Sequence, residues 1–476
     1  MLVVGGCGIH ADVWWRRAIG VSAMLAGAAT LIAYRAPAAR PNVVLVTMDT
    51  LRADRLGCYG GPVATPHIDQ IAREGVRFDQ ARCPMPMTRP SHASLFTSLA
   101  PREHGVLHNG APLAPDIPTL AEQLRGAGYR TAAFISIAML GGDSGQTRGF
   151  DEVDLPPTGG YSPGAQTVDR ARAWLHTTGD APFFLWVHLF DAHMPYNPAP
   201  AFAPQSPPDV AARLPIASWP ALTAQASAHG GDLPLELFDR ATALYGGEVR
   251  EVDAAVGEVV DALRARGALD RTVVVLAADH GECFEHGNFF LHATCLYEGA
   301  ARVPLLVRYP PAVAGGTERR DAVELIDVAP TILALAGAPR PASFRGRSLF
   351  DSDGGAPVTV VQHPLPLDEN VRRRQAEVGG LRSVAGVPAR PWGDGRGEFA
   401  VVDGAWKAIL SPRGAELYDL RADPGENHDV ATAHPEVVAA ARARLAEWEG
   451  AHPERERPRA TLSPAERERL RALGYR

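Results

Sequence analysis

Cysteine is scarce in this 476-residue chain, with five in all: Cys7, Cys58, Cys83, Cys283 and Cys295. That is too few for a disulfide scaffold, and the spacing does not fit a zinc finger. Each is expected as a buried free thiol, although an oxidising compartment would permit one bridge. Positive charge is not in excess either. A formal charge of -7 leaves no basic face to neutralise phosphates, so no nucleic-acid partner is expected. No fixed period recurs, which argues against solenoids and propellers. Hydrophobic content of 46% against 21% charged excludes a disordered or fibrous chain.

What is present begins with length, enough for one large core and a smaller second domain. Glycine (47) and proline (41) are plentiful, so many loops between short elements are expected. The first forty residues differ from the rest. Trp14-Trp15-Arg16-Arg17 precedes an uncharged run, Ala18 to Tyr34, followed by Arg35-Ala36-Pro37-Ala38-Ala39-Arg40. Basic residues before a short apolar stretch, with small residues after it, are laid out as a secretory signal or a single N-terminal membrane anchor. The first core strand starts directly afterwards, which favours this over a buried helix and predicts export from the cytoplasm.

Asn42 to Met48 is a β-branched apolar run with little polar alternation, suited to a central strand covered on both faces. Thr272 to Ala278 is a second, and Phe183 to Val187 a third. Asp49 follows the first, Asp279-His280 the second, and Asp191 and His193 lie just past the third. Helical stretches such as Pro118–Ala127, with its proline in the first turn, and Val249–Arg266 intervene. Strands alternating with helices predict an α/β fold, a large mixed and mostly parallel sheet sandwiched by helices. Ligands in such sheets sit at the carboxyl ends of strands, where these polar residues cluster. Residues from about Gly355 to Gly395 read as irregular surface. Phe399–Val402 and Lys407–Leu410 then read as paired strands and Pro435–Gly450 as an amphipathic helix. The expected organisation is a signal or anchor (1–40), a catalytic α/β domain (41–350), a smaller C-terminal sheet-plus-helix subdomain (351–450) and a charged helical tail (451–476).

Asp49, Asp279 and His280 are hard or borderline ligands at two strand ends, suited to a divalent cation. A longer set of landmarks surrounds them: Asn42 to Gly60, Thr65-Pro66-His67-Ile68-Asp69, Thr88-Arg89-Pro90-Ser91-His92, His104-Gly105-Val106, Asp279-His280-Gly281-Glu282, His286-Gly287, Asp327-Val328-Ala329-Pro330-Thr331 and Leu417-Tyr418-Asp419-Leu420. In this order they resemble the sulfatase family of the alkaline-phosphatase superfamily, over roughly Asn42 to Trp448. The resemblance implies an alkaline-phosphatase-like fold and a hydrolase of ester bonds.

The departures are informative. Thr88 stands where most sulfatases carry formylglycine, so none is expected. His92 replaces the arginine of that motif, Thr50 the second Asp of the usual pair, and His292 a lysine, while Phe134-Ile135-Ser136 replaces a Lys-x-His. These changes resemble relatives that use threonine, and they imply one cation (manganese, zinc or calcium) held by Asp49, Thr88, Asp279 and His280. The resemblance also implies substrate contacts from His92, Asn109, His193, His286 and His292. Thr88 is read as the nucleophile, with His193 and His292 in catalytic roles. Asp191 with His286 leaves a second metal open. The substrate class is a small-molecule, glycan or lipid ester of sulfate or phosphate, or a phosphonate. A transferase using the same Thr88 intermediate and a non-catalytic binding module are the alternatives.

Overall fold

A strand whose apolar residues fall on both faces has no side to offer to water, and Asn42–Met48 accordingly forms β1 with all seven residues buried, Asn42 and Thr47 included. It lies inside an eight-stranded sheet of the computed structural model. The structure describes residues 40–157, 160–293, 295–351, 358–363, 381–389, 399–411 and 414–455. The segment read as a signal or anchor, and all but the first few residues of the tail read as a charged helix, lie outside these. Among the described residues no helix is long and apolar enough to cross a membrane.

The strands that follow are β2 (Val76–Arg82), β3 (Arg130–Ile135), β4 (Glu152–Asp154), β5 (Phe183–Leu189), β6 (Asp232–Leu233), β7 (Thr272–Ala278), β8 (Leu305–Arg308) and β9 (Thr317–Glu324). The large sheet has the order β4-β3-β5-β1-β7-β8-β2-β9. Only β8 runs against the others. Register decides where the site can be. Met48 of β1 pairs with Leu189 of β5 and with Ala278 of β7. The three central strands therefore end level, and Asp49, Phe190 and Asp279 leave the sheet at one height.

Two groups of helices pack around the sheet: Pro66–Glu74, Gly164–Leu175 and Leu235–Ala265 in one, Thr88–Thr97, Leu120–Gly126 and Val328–Ala336 in the other. Two helix starts differ from the sequence reading. The helix expected from Val249 begins at Leu235, because Gly246-Gly247 interrupts the helical signal. Gly247 is required by packing, since a Cβ there would lie 2.6 Å from Pro198. Pro118 lies outside its helix, which is capped by Thr119 in a reciprocal capping box with Glu122.

Beyond these come β10 (Val358–Gln362), β11 (Ser383–Val384), β12 (Val387–Pro388), β13 (Phe399–Asp403), β14 (Trp406–Ser411) and β15 (Gly414–Asp419). A separate antiparallel sheet runs β10-β13-β14-β15, and β12-β11-β6 forms a third, small one. Helix Pro435–Ala451 lays Val437, Val438, Ala441, Leu445 and Trp448 on the four-stranded sheet, against Val360, Val401, Ala408, Leu410 and Leu417. The expectation of irregular surface from Gly355 to Gly395 is corrected at β10, a strand with four of five residues buried. The cysteine expectation is corrected too: Cys283 and Cys295 form a disulfide, while Cys58 and Cys83 are free.

Candidate active site

Asp49 is the first residue past β1, and its N–H donates to the Leu189 carbonyl at 2.9 Å, which ties it to the end of β5. Thr50 turns the chain in the left-handed region, at φ 53°. Its hydroxyl donates to the Ala192 carbonyl at 2.8 Å, and its own carbonyl accepts from Tyr245 at 2.8 Å. Thr50 is thus turned to the scaffold, and only Asp49 faces the strand ends.

Thr88 is the first residue of helix Thr88–Thr97, all of which is buried. The helix is anchored to β7 by Ser91, whose hydroxyl donates to the Asp279 carbonyl at 2.5 Å. The Thr88 hydroxyl is buried and has no hydrogen-bond partner. It sits at a helix N-terminus, where the peptide dipoles favour negative charge. Asn109 is fixed beside it: its Oδ1 accepts from the Arg89 N–H at 2.9 Å, which leaves the Nδ2 amide buried and unpartnered.

At the end of β7, Asp279 Oδ1 accepts from the His280 N–H at 2.8 Å, whereas Oδ2 has no partner. The His280 Nδ1–H donates to the Gly281 carbonyl at 3.0 Å, so Nε2 carries the lone pair. That Nε2 is also unpartnered, 3.5 Å from Asp279 Oδ2 and 3.9 Å from Asp49 Oδ1. Ligand atoms of Asp49, Asp279 and His280 all lie within 4.8 Å of one another. None of the described ion pairs or hydrogen bonds brings a lysine or arginine to either carboxylate.

The electrostatics favour a cation at this point. Burial pushes Asp279 well above the carboxylate range, and neighbouring Asp49 pushes the same way. Burial acts on Asp49 too, but His188, His193 and His280 outweigh it and hold its carboxyl below the usual range. Two buried carboxylates this close cannot both ionise without a compensating charge. Orphaned oxygens, an imidazole with its lone pair presented and no lysine or arginine of the described residues paired with either carboxylate suit a divalent metal. Among the described residues this is the only such group, and no second one joins Asp191 to His286.

His193 and His292 are brought to the site. The rings of His280 and His292 stack at 4.6 Å, and that of His193 meets His292 edge-on at 5.3 Å. The His193 Nδ1–H donates to the Met194 carbonyl at 2.7 Å, leaving Nε2 buried without a partner. Burial lowers its pKa to about 4, so near neutral pH this nitrogen is an acceptor. His292 Nδ1 is 3.1 Å from Glu282 Oε1, and Glu282 is also 3.1 Å from the Tyr196 hydroxyl. Two residues expected to contact substrate have partners within the protein. His92 has no exposed surface, and both ring nitrogens are engaged inside the protein, with the Thr88 carbonyl at 2.8 Å and the Thr47 hydroxyl at 3.1 Å. His286 turns toward the C-terminal region, with Nε2 3.0 Å from the Gly425 carbonyl and its ring stacked 4.1 Å from Tyr297.

Residues 41–338 match the family model described as Sulfatase. The chain belongs to the sulfatase family. Among relatives of this sulfatase-family chain, human arylsulfatase A is 29% identical, with 86% of this chain and 88% of that protein covered. N-acetylglucosamine-6-O-sulfatase of Bacteroides thetaiotaomicron is 25% identical, with 82% of each covered. The crystal structure of a phosphonate monoester hydrolase of Agrobacterium radiobacter matches at TM-score 0.66 and 22% identity, covering 87% of this chain and 96% of that one. The chain has the alkaline-phosphatase-like fold and is a hydrolase acting on ester bonds.

Three residues of this sulfatase site escaped the sequence reading. His188 of β5 is fully buried, with Nε2 3.5 Å from Asp49 Oδ2. Its signal was available: a lone histidine in an otherwise apolar strand, in register with Thr47 of β1. Glu282, quoted only as part of a motif, is the partner of His292. Thr47 was read as one more strand residue, yet its hydroxyl meets both His92 and Trp186.

Proposed function

We propose that this sulfatase-family chain is a metal-dependent hydrolase in which Thr88 attacks a phosphonate or phosphate ester in preference to a sulfate ester. The observation that carries the reading is the set of orphaned, buried atoms on Asp49, Thr88, Asp279 and His280. Those four residues would hold one divalent cation, with oxygen and nitrogen donors suited to manganese, zinc or calcium. When bound, the cation would favour the ionised Thr88 hydroxyl and offset charge on the substrate anion. Asn109 would donate from Nδ2 to a substrate oxygen.

The ester bond breaks as the Thr88 oxygen bonds to the central atom; the proton that Thr88 gives up passes to His193 Nε2 and from there to the leaving alkoxide, which departs as an alcohol. Water then attacks the same centre, giving up its proton and restoring Thr88. His193 Nε2 and the His292 ring border this space and are the groups to exchange those protons. A formylglycine hydrate sheds its sulfate by collapsing to the aldehyde. Thr88 has one hydroxyl and cannot, so its adduct needs a second displacement, for which a phosphoryl centre is well suited. The sulfatase names of the relatives support a second reading, sulfate esters of small molecules or glycans. The basic-then-apolar N-terminus supports an exported protein.

The test uses matched aryl phosphodiester, phosphonate and sulfate substrates. Wild-type protein should turn over the phosphorus esters faster, and Thr88→Ala should abolish turnover with the fold retained. A clear preference for sulfate would favour the second reading. Full activity in Thr88→Ala would exclude Thr88 as the nucleophile.

A further inference from the structure

His92 lies one helical turn beyond Thr88, on the same face of its helix and completely buried. Hydrogen-bond accounting fixes the state of its ring. The Thr88 carbonyl, 2.8 Å from Nδ1, can only accept, so Nδ1 carries a proton. At the other end, the Trp186 indole N–H can only donate, and it donates to Thr47 Oγ1 at 2.8 Å. The Thr47 hydroxyl has a single proton, and none of the described bonds gives it another acceptor. It donates to His92 Nε2 at 3.1 Å, which must then carry the lone pair. A doubly protonated ring would leave the Thr47 proton buried with no acceptor. The opposite tautomer would set a lone pair against the Thr88 carbonyl at 2.8 Å and Asp279 Oδ2 at 3.4 Å.

We infer that Trp186, Thr47 and His92 form a one-directional hydrogen-bond relay that locks His92 as the Nδ1–H tautomer and so positions Thr88 and Asp279. All five side chains are fully buried, so no solvent competes for these bonds. The relay holds the Thr88 backbone by its carbonyl and keeps its hydroxyl at the strand ends. The same N–H turns its positive end toward the Asp279 oxygen that faces His280, and makes no hydrogen bond to it. His92 is therefore a positioning residue and does not touch substrate. Its consequence for the cation rests on the metal site proposed above. The tautomer does not.

Thr47→Val keeps the shape of the side chain and removes the hydroxyl, whereas Thr47→Ser keeps the hydroxyl. Manganese affinity by calorimetry and kcat on the best aryl ester are measured for both, with nitrogen-15 NMR of the histidine rings. The His92 signal is assigned by its loss in His92→Gln. Thr47→Val is expected to weaken manganese binding and lower kcat, each about 10-fold, the lower end for an outer partner of a metal ligand. Thr47→Ser should stay within about twofold of wild type by the same comparison. His92 should carry its proton on Nδ1 in wild type. Equal behaviour of the two Thr47 variants, or a His92 proton on Nε2, would overturn the relay. Failure of wild-type protein to bind manganese would instead count against the metal reading, and the NMR result alone would then judge the relay. Should Thr47→Val not fold, the wild-type spectrum still decides.

Discussion

Lys407 and Asp279 are both fully buried, yet the charge clusters around them are built on opposite principles. Around Lys407, between β14 and the large sheet, every charge has its counterpart. Arg82 donates to both oxygens of Glu298, at 3.0 and 2.8 Å. The Lys407 ammonium lies 3.0 Å from Glu298 and 2.8 Å from Glu426, and the Glu298 N–H donates to Glu426 at 2.6 Å. Two cations meet two anions. Around Asp279 two carboxylates meet imidazoles, with the oxygens of Asp49 and one of Asp279 without a hydrogen-bond partner. A buried acid thus says little about binding. What distinguishes the site from the Lys407 cluster is that none of the described lysines or arginines pairs with its carboxylates.

The largest expected effect would break that comparison if it failed. Asp279→Asn should lower turnover by roughly 10³-fold, the scale for losing a main electrostatic contributor, and should empty the site by elemental analysis. In protein stripped with chelator, the same change should leave the melting temperature unchanged or raised, because it relieves a like-charge pair. A fall in melting temperature would mean that Asp279 has an internal partner and that the two clusters are alike.

Lys407→Met is the counterpart. It leaves Glu298 and Glu426 facing each other with one cation fewer, so stability should fall by about 3–5 kcal/mol, the usual cost of breaking a buried pair. Denaturant titration measures it. Adding Glu426→Gln should recover part of the loss, whereas no loss at all would show that the Lys407 cluster is not a closed network.

A third prediction concerns the loop between the two clusters. The Cys283–Cys295 disulfide brackets the segment that carries His286 and His292, directly after Glu282. Within it the Cys283 N–H donates to the Leu291 carbonyl and the Phe290 N–H to the Cys283 carbonyl, each at 2.7 Å. Removing the bridge by Cys283→Ser with Cys295→Ser should cost roughly 3 kcal/mol, as expected for a loop of this length. It should also lower kcat, since His292 reaches His280 and Glu282 from this loop. Thermal melts with and without reductant, beside turnover, would check both parts.

These contrasts also bound what the sequence could reveal. Asp49, Asp279 and His280 were legible because each ends an apolar strand, and level strand ends turn separate motifs into one site. Thr88 was legible only through the spacing of family landmarks, since a buried threonine at a helix start has no distinctive local pattern. His188 was missed although it is the lone histidine of an apolar strand, because the run was read only as far as Val187 and the strand continues to Leu189. His92 was misread because its motif suggested contact with substrate, while its phase, four residues past Thr88, turns it to Thr47. β10 was missed because Val358–Gln362 is short and surrounded by proline, glycine and arginine. The disulfide was missed because two cysteines twelve apart are as compatible with free thiols as with a bridge.

The smallest effect lies where the four-stranded sheet meets the large one, at Glu324. It ends β9, and its Oε1 accepts from the Val360 N–H of β10 at 3.2 Å. Burial raises its pKa to about 8, with Asp327 adding to the rise and Arg82 and Arg347 opposing it. The sign follows from linkage. The folded state holds this proton more tightly than the unfolded state, in which the carboxyl titrates near its ordinary value of 4.5. Its contribution is therefore fully present below about pH 4.5, declines as pH rises, and is gone above about pH 8. Glu324→Gln keeps the acceptor for Val360 and never ionises. The variant should match wild type near pH 4.5 and become the more stable of the two as pH rises to about 9. At about 1.4 kcal/mol per unit the shift sets a ceiling of a few kcal/mol, and relaxation of a carboxylate at an interface should leave on the order of 1 kcal/mol. Melting temperatures of both proteins at several pH values test this. If the difference stays constant with pH, Glu324 is ionised in the folded protein, and Arg82 extends the balance of charge from the Lys407 cluster to this position. If the difference opens in the predicted window, the closed network ends at Glu298.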